Sequence, residues 1–353
     1  MKDKLCFAVF ADLHYKQGMY LSSVADLKSV LERADSKNAE FVIHCGDLCN
    51  DYTGSPEITN ALLDNPYCMP VYGIYGNHEL ETPGNTMEKV TPFLTNRADE
   101  VVWGTEDGKI GNGDIAYYYF DTGDFRFIFT DKNYSYNEKT GEWQHNTEAS
   151  WGPPAGNIKY NSLGPIQFEW LKKLLYRSAK EEKNCIVISH AAFYPDWETS
   201  SPDSTTVCDI FKAVNKIRPG TVIMSINGHY HKNHILAEDD IVFFDVNTVI
   251  NGCWLANGVE HYFDEHTFSY EKYDENGKLL SKETTPLSCL AMSRNTWFFE
   301  SPLSAIVTVA ADGSIKIEGA KTGWIYGIAP EKGTGRSTEI SDFEINLGLN
   351  GKE

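Results

Sequence analysis

"FVIHCGD", residues 41–47, is a run of apolar and β-favouring residues that stops on Gly46 and Asp47. A run with no polar alternation reads as a strand buried on both faces. The pattern recurs. "LCFAVFADLH" (5–14) ends in Asp12 and His14, "PVYGIYGNHE" (70–79) in Asn77 and His78, "CIVISH" (185–190) in His190, and "TVIMSINGHYH" (221–231) in His229 and His231. Each run delivers a ligand-type side chain just past its carboxyl end. Taken alone, Gly46-Asp47 and Gly76-Asn77 are turn signals and His190 is a semi-buried histidine. His229 and His231, two residues apart, would share one face of a strand and so favour a metal.

Between the early runs the period changes. "SSVADLKSVLERADS" (22–36) has apolar residues at 24, 27, 30 and 31, and "GPIQFEWLKKLLYRSAKEE" (164–182) at 166, 170, 171, 174 and 175, so both predict amphipathic helices. Strand alternating with helix predicts an α/β fold, in which ligands bind outside the carboxyl ends of the strands. "IAYYYFDTGDFRFIFTD" (115–131) breaks the alternation as a hairpin about Asp121–Asp124, and "AIVTVAADGSIKIEG" (305–319) turns at Asp312-Gly313. No repeat and no Pro/Ser-rich linker divides the chain. The expectation is one elaborated domain over 1–330 and a polar tail over 331–353. Residues 131–163 are rich in Asn, Gly, Tyr and Trp with little periodicity, and a loop of that length is expected to serve as a substrate lid. Its Tyr134, Tyr136, Trp143 and Trp151 either stack on a substrate ring or pack the loop onto the body, and packing is the commoner use.

Lys and Arg number 31 against 50 Asp and Glu, a formal charge of −19, and no basic run exceeds Lys172-Lys173. A phosphate-tracking groove for long nucleic acid is therefore not expected. No stretch approaches the roughly 18 apolar residues of a membrane span, and the first apolar run, interrupted by Asp12, is a strand rather than a leader. The eight cysteines (6, 45, 49, 68, 185, 208, 253 and 289) form no framework; reduced thiols and a cytoplasmic location are expected.

Two Asp, one Asn and four His gathered from five strand ends suit divalent Zn, Mn, Fe or Ni without selecting among them. Seven donors suffice for two ions roughly 3.5 to 4 Å apart if one carboxylate bridges. Asp12-Leu13-His14, Gly46-Asp47, Gly76-Asn77-His78-Glu79, His190 and Gly228-His229-Tyr230-His231, in that order, resemble the five blocks of the calcineurin-like metallophosphoesterase superfamily. The resemblance spans residues 12–231 and is loose beyond them. It implies two packed β-sheets flanked by helices, a four-layer αββα sandwich with a C-terminal β-hairpin elaboration, and a dinuclear metal site at its edge. It also implies roles: Asp12, His14 and His231 on one metal, Asn77, His190 and His229 on the other, Asp47 bridging, and His78 beside the leaving group.

The bridging role suits a carboxylate, which has two oxygens. Asn77 is an uncharged donor, so two carboxylates face two divalent ions and the pocket stays positive enough to attract phosphate. His44, His145, His234, His261 and His266 are read as structural. Asp47 is followed by Leu48, Cys49 and Asn50, so the metal-binding tyrosine of purple acid phosphatases and the Val-Asp-Arg-Gly of protein Ser/Thr phosphatases are missing. The blocks look closer to phosphodiesterases and broad phosphatases. The expectation is a metal-dependent hydrolase of a small phosphomono- or diester. Its alternatives are a non-catalytic scaffold of the same fold, favoured only by lost ligands, and a nuclease, opposed by the charge.

Overall fold

Strand β1 (Lys4–Phe10) is buried along most of its length and lies inside a six-stranded sheet of order β20-β19-β18-β1-β2-β3 in this computed structural model. The structure describes residues 4–15, 22–49, 56–80, 94–104, 116–137, 140–145, 158–197, 203–254, 267–274, 278–286, 296–324, 327, 329 and 335–349. On one side of β1 come β2 (Val42–His44) and β3 (Val71–Gly73), all parallel. On the other side β18 (Ala305–Ala310), β19 (Ser314–Gly319) and β20 (Phe343–Asn346) follow in antiparallel pairs.

The second sheet has seven strands, in the order β12 (His234–Glu238), β13 (Ile241–Asp245), β11 (Val222–Asn227), β10 (Asn184–Ser189), β6 (Phe125–Phe129), β5 (Tyr118–Thr122) and β4 (Val102–Trp103). Its centre from β13 to β6 is parallel and its edges are antiparallel. Among the described residues four α-helices flank the sheets: α1 (Val24–Ser36), α2 (Pro56–Leu63), α3 (Gly164–Lys180) and α4 (Ser204–Ile217). The layers are those of the metallophosphoesterase α/β sandwich.

Side-chain period explains the layering. Along β6, Phe125, Phe127 and Phe129 face the inter-sheet core, while Ile128 joins the core under α3 and α4. Phe7 of β1 meets Phe127 edge to face at 5.2 Å, and Tyr72 of β3 stacks on Phe120 of β5 at 4.0 Å, so aromatic rings seam the two sheets. Helix α1 begins where Ser23 and Asp26 form a reciprocal capping box, and it buries Val24, Leu27, Val30, Leu31 and Ala34. Helix α3 buries Leu171, Leu174 and Leu175, but Ile166, assigned by its spacing to the same stripe, is 79% exposed because it sits in the first turn beyond the sheet.

Both expected hairpins form: β5 and β6 turn at Gly123-Asp124, and β18 and β19 turn at Asp312-Gly313, where Gly313 takes a φ of 86°. Three small sheets add to them. Strands β7 (Tyr134–Asn137), β8 (Glu142–His145) and β9 (Ile158–Ser162) make one, β14 (Asn251–Trp254) and β17 (Thr296–Phe298) another, and β15 (Thr267–Tyr273) and β16 (Leu279–Pro286) a third. The segment 131–163 is thus a β-arm in its described parts rather than a plain loop; Trp151 and residues 146–157 lie outside the described residues, as do His261 and His266. The polar tail after 330 also needs correction. Its alternating "FEIN" pairs with β19 as an edge strand, which a half-exposed polar run does well on the rim of a sheet.

Candidate metal centre

Because β1, β2 and β3 run parallel, as do β10 and β11, their carboxyl ends meet at one edge of the sandwich. The turns that follow are bonded to one another. The Asp12 N–H donates to the Gly46 carbonyl (3.1 Å), the His14 N–H to the Asp47 carbonyl (2.8 Å), and the Gly228 N–H to the His190 carbonyl (3.1 Å). Asp12, His14, Asp47, His229 and His231 all have φ between 49° and 74°. Asp and His enter that left-handed region more readily than most residues, but each such position carries a local backbone cost.

The side chains converge in two groups that share no residue, and a third, His14, Asp47 and His78, overlaps both. Asp12, His14 and His231 form one, with His14 Nε2 and His231 Nε2 3.0 Å apart and Asp12 Oδ1 3.5 Å from His231 Nε2. Asp47, His190 and His229 form the other, with His190 Nε2 3.1 Å from His229 Nδ1 and 3.2 Å from Asn77 Oδ1. Asp47 stands between them through a single atom: Oδ2 is 3.6 Å from His14 Nε2 and 3.2 Å from His190 Nε2. Its other oxygen, Oδ1, accepts the His78 N–H at 2.9 Å. One carboxylate oxygen rather than two thus faces both groups. His229 and His231 do not share the one strand face that their spacing suggested. Strand β11 ends at Asn227, so the two imidazoles lie on a turn and point into different groups.

Glu79, which the sequence reading left without a role, ties this edge together. Its carboxylate accepts the N–H groups of Asp47 and Cys49 at 3.0 Å and of Gly76 at 2.5 Å. Burial, with the Asp47 charge adding to it, pushes its carboxyl up to about 8 against those donors. Gly76 is there for space: a Cβ would lie 1.9 Å from Asp47 Oδ1, and one on Gly228 would lie 2.6 Å from Asp12 Oδ2. His190 Nδ1 faces the Cys45 carbonyl at 2.7 Å, so it carries a proton there and Nε2 is the nitrogen turned toward the group.

Burial, reinforced by neighbouring imidazoles, drives His14 and His229 down to about 3, which keeps both neutral and able to ligate. Burial opposes the charge on His190 too, but Asp47 overrides it and raises His190 to about 10, while that imidazole holds Asp47 well below the carboxylate range. The donor set and the glycine cradle fit two divalent cations. His78 sits close, its ring edge-on to His14 with centroids 4.6 Å apart and its Nε2 3.9 Å from Asp47 Oδ2.

A cavity of about 180 Å³ opens onto these residues, lined by His14, Asp47, Asn77, His78, His229 and His231, and by Tyr230 and Arg336. A larger cavity, about 590 Å³, lies between β4 and α3 among Trp103, Pro165 and Trp170, away from the ligand groups. Size does not locate the chemistry here; the donors do. Of the histidines read as structural, His145 Nε2 bonds Asp131 at 2.7 Å, His234 lies 3.6 Å from Asp245, and His44 is wholly buried.

Fold and donors together define a dinuclear-type phosphoesterase sandwich. The sequence profile of the calcineurin-like phosphoesterases matches residues 6–233, and the chain belongs to that family. No curated protein matches it. Among solved structures it is similar to a dimetal phosphatase from Danio rerio, with 13% identity over 97% of this chain and 99% of that one and a TM-score of 0.58. It is also similar to GAP50, the anchor in the inner membrane complex of Plasmodium, with 13% identity over 98% and 89% and a TM-score of 0.44. Among the described residues no helix is long and apolar enough to cross a membrane. Cys6, Cys45, Cys49, Cys68, Cys185 and Cys208 are free thiols.

Proposed function

We propose that the chain is a metal-dependent hydrolase of small phosphomono- or diesters. The observation that carries this reading is Asp47 Oδ2, which faces a ligand group on either side within 3.6 Å. Asp12, His14 and His231 would hold one divalent ion and Asn77, His190 and His229 the other, with Asp47 placed to serve both. When bound, two such ions supply positive charge to the phosphoryl oxygens and acidify water near neutral pH. The protein's own contribution is placement. The bonded turns fix the donors before substrate arrives, the His190 Nδ1 contact sets the ligating tautomer, and the narrow cavity limits the reacting group to something phosphoryl-sized. His78, held through its N–H by Asp47 and buried beside His14, is set to give a proton to the departing oxygen.

The test is a panel of phosphomonoesters, diesters, cyclic nucleotides and pyrophosphates, each assayed with Mn, Fe, Zn and Ni. Turnover that requires metal and vanishes on chelation is expected. A fully loaded protein that hydrolyses none of them overturns the reading in favour of a binding scaffold.

A further inference from the structure

The cavity over the ligand groups has one wall from far along the chain. Arg336 lies beyond the family match and beyond every block that carries the ligands, yet it lines the same cavity as His14, Asp47, Asn77 and His229. Its Nη1 donates to the carbonyls of Tyr230 (2.5 Å) and His231 (2.7 Å), the turn that holds two of the ligand-type histidines. Two carbonyls on one guanidinium nitrogen fix its plane as well as its position.

The backbone carrying Arg336 is fastened on both sides. Asn247 Nδ2 donates to the carbonyls of Ser337 (2.9 Å) and Glu339 (3.1 Å), while Asn233 and Ser341 exchange two bonds, at 2.8 and 2.9 Å. Next to Asn247, Thr248 Oγ1 donates to the Asp12 carbonyl at 2.7 Å. The strap and the first metal-ligand turn therefore share an anchor. Beside it Lys232 Nζ reaches the Tyr230 hydroxyl at 2.6 Å, so two cations flank Tyr230 at the cavity in a chain of net charge −19. An anion approaching this acidic protein meets local positive charge here.

We infer that Arg336 is a specificity-determining residue of this site, binding a non-reacting anionic oxygen of the phosphoester, an inference that rests on the reading of the site as a phosphoester site. A planar, permanently charged donor fixed against the ligand turn is suited to phosphoryl recognition. It distinguishes substrates by charge next to the scissile phosphoryl: dianionic monoesters gain more from it than singly charged diesters.

The probe is inorganic phosphate, titrated calorimetrically into manganese-reconstituted protein, with metal content measured alongside. Arg336→Ala is expected to weaken phosphate binding about 10- to 100-fold and to raise the KM of a monoester by a similar factor, the usual worth of a charge-assisted hydrogen bond. Two metals should remain, and kcat should move by less than about threefold. Arg336→Gln, a polar side chain without the charge, should keep metal and lose phosphate; Arg336→Lys should recover part of the affinity. Phosphate affinity in Arg336→Gln equal to wild type overturns the inference, as does a loss confined to metal content, which would make the residue a clamp for the turn. A wild-type protein that binds no phosphate overturns it as well. One that binds phosphate through Arg336 yet hydrolyses nothing leaves the inference standing and defeats the hydrolase reading instead.

Discussion

Residues 12–231 and residues 335–346 reach the same cavity by opposite routes. The first region supplies seven ligand-type side chains from turns directly after buried strands, and those turns are bonded to one another. The second supplies one arginine from a polar segment held by side-chain amides and an edge strand. Metal coordination needs particular atoms at fixed places, so the first region tolerates little change. Anion recognition needs charge in roughly the right place, so the second tolerates more.

The comparison is broken most severely at Asp47. Asp47→Ala is expected to abolish turnover, by on the order of 10³-fold or more, and to bring metal content to one equivalent or below, because both groups share its Oδ2. Elemental analysis of the manganese-reconstituted variant checks it; two equivalents retained would show that the groups are filled independently. His78 and Asn77 sharpen the contrast within one turn. His78→Ala should keep both metals and lose roughly 10²- to 10⁴-fold in rate, less with a nitrophenyl leaving group that needs little protonation. Asn77→Ala should lose the second metal. A His78 variant that loses metal would place that imidazole among the ligands, as its nearness to His14 and Asp47 allows.

Most of the first region was legible in the sequence because its two signals coincide: a β-rich run for the strand and a hard donor immediately after it. The period of the apolar residues gave α1 and α3 in the same way. Other features were not legible for physical reasons. That His229 and His231 sit on a turn rather than on one face of a strand depends on β11 ending at Asn227 and on two positive φ values, neither of which has a composition signal. Arg336 is one basic residue in a polar stretch, and its partners Tyr230 and His231 are 106 and 105 residues away. The β-arm was hidden because its strands pair with each other and β8 leaves Trp143 exposed, giving no strong alternation.

That arm offers a third, milder test. Asp131, at its root, accepts two bonds from Asn133 and one contact from His145 of β8, and its own N–H donates to Gln167 of α3. His145→Ala should raise KM a few-fold, about 1 kcal/mol or less, for bulky substrates and leave metal content unchanged. Equal kinetics across the panel would make the arm a packing or interaction surface.

The smallest effect is in acid. Burial works to raise the Asp131 carboxyl, but His145 and the Asn133 donors hold it below its ordinary 3.8. Its contribution to stability is thus complete above that value and is lost as pH falls through the depressed one. Thermal unfolding followed from pH 5 to pH 3 should drop less steeply for Asp131→Asn than for wild type. Parallel curves would mean that the pair does not couple to folding.

The pairing of β1 with β18 also bears on how the chain is made. Residues 4–9 find their antiparallel partners only at 305–310. At roughly 5–20 residues per second of synthesis, the partner arrives about 15 to 60 s after β1. Until then "LCFAVFA" can pair only on the side of β2 and β3, which leaves an open, apolar edge on its other side, the situation in which nascent chains pair with the wrong neighbour. Such distant pairing also slows refolding from denaturant. A fragment ending at 233, where the family match stops, would carry all seven ligand-type residues and no strand to close β1, so the last third of the chain acts first as a lid on the fold's own edge and only afterwards as a wall of its pocket.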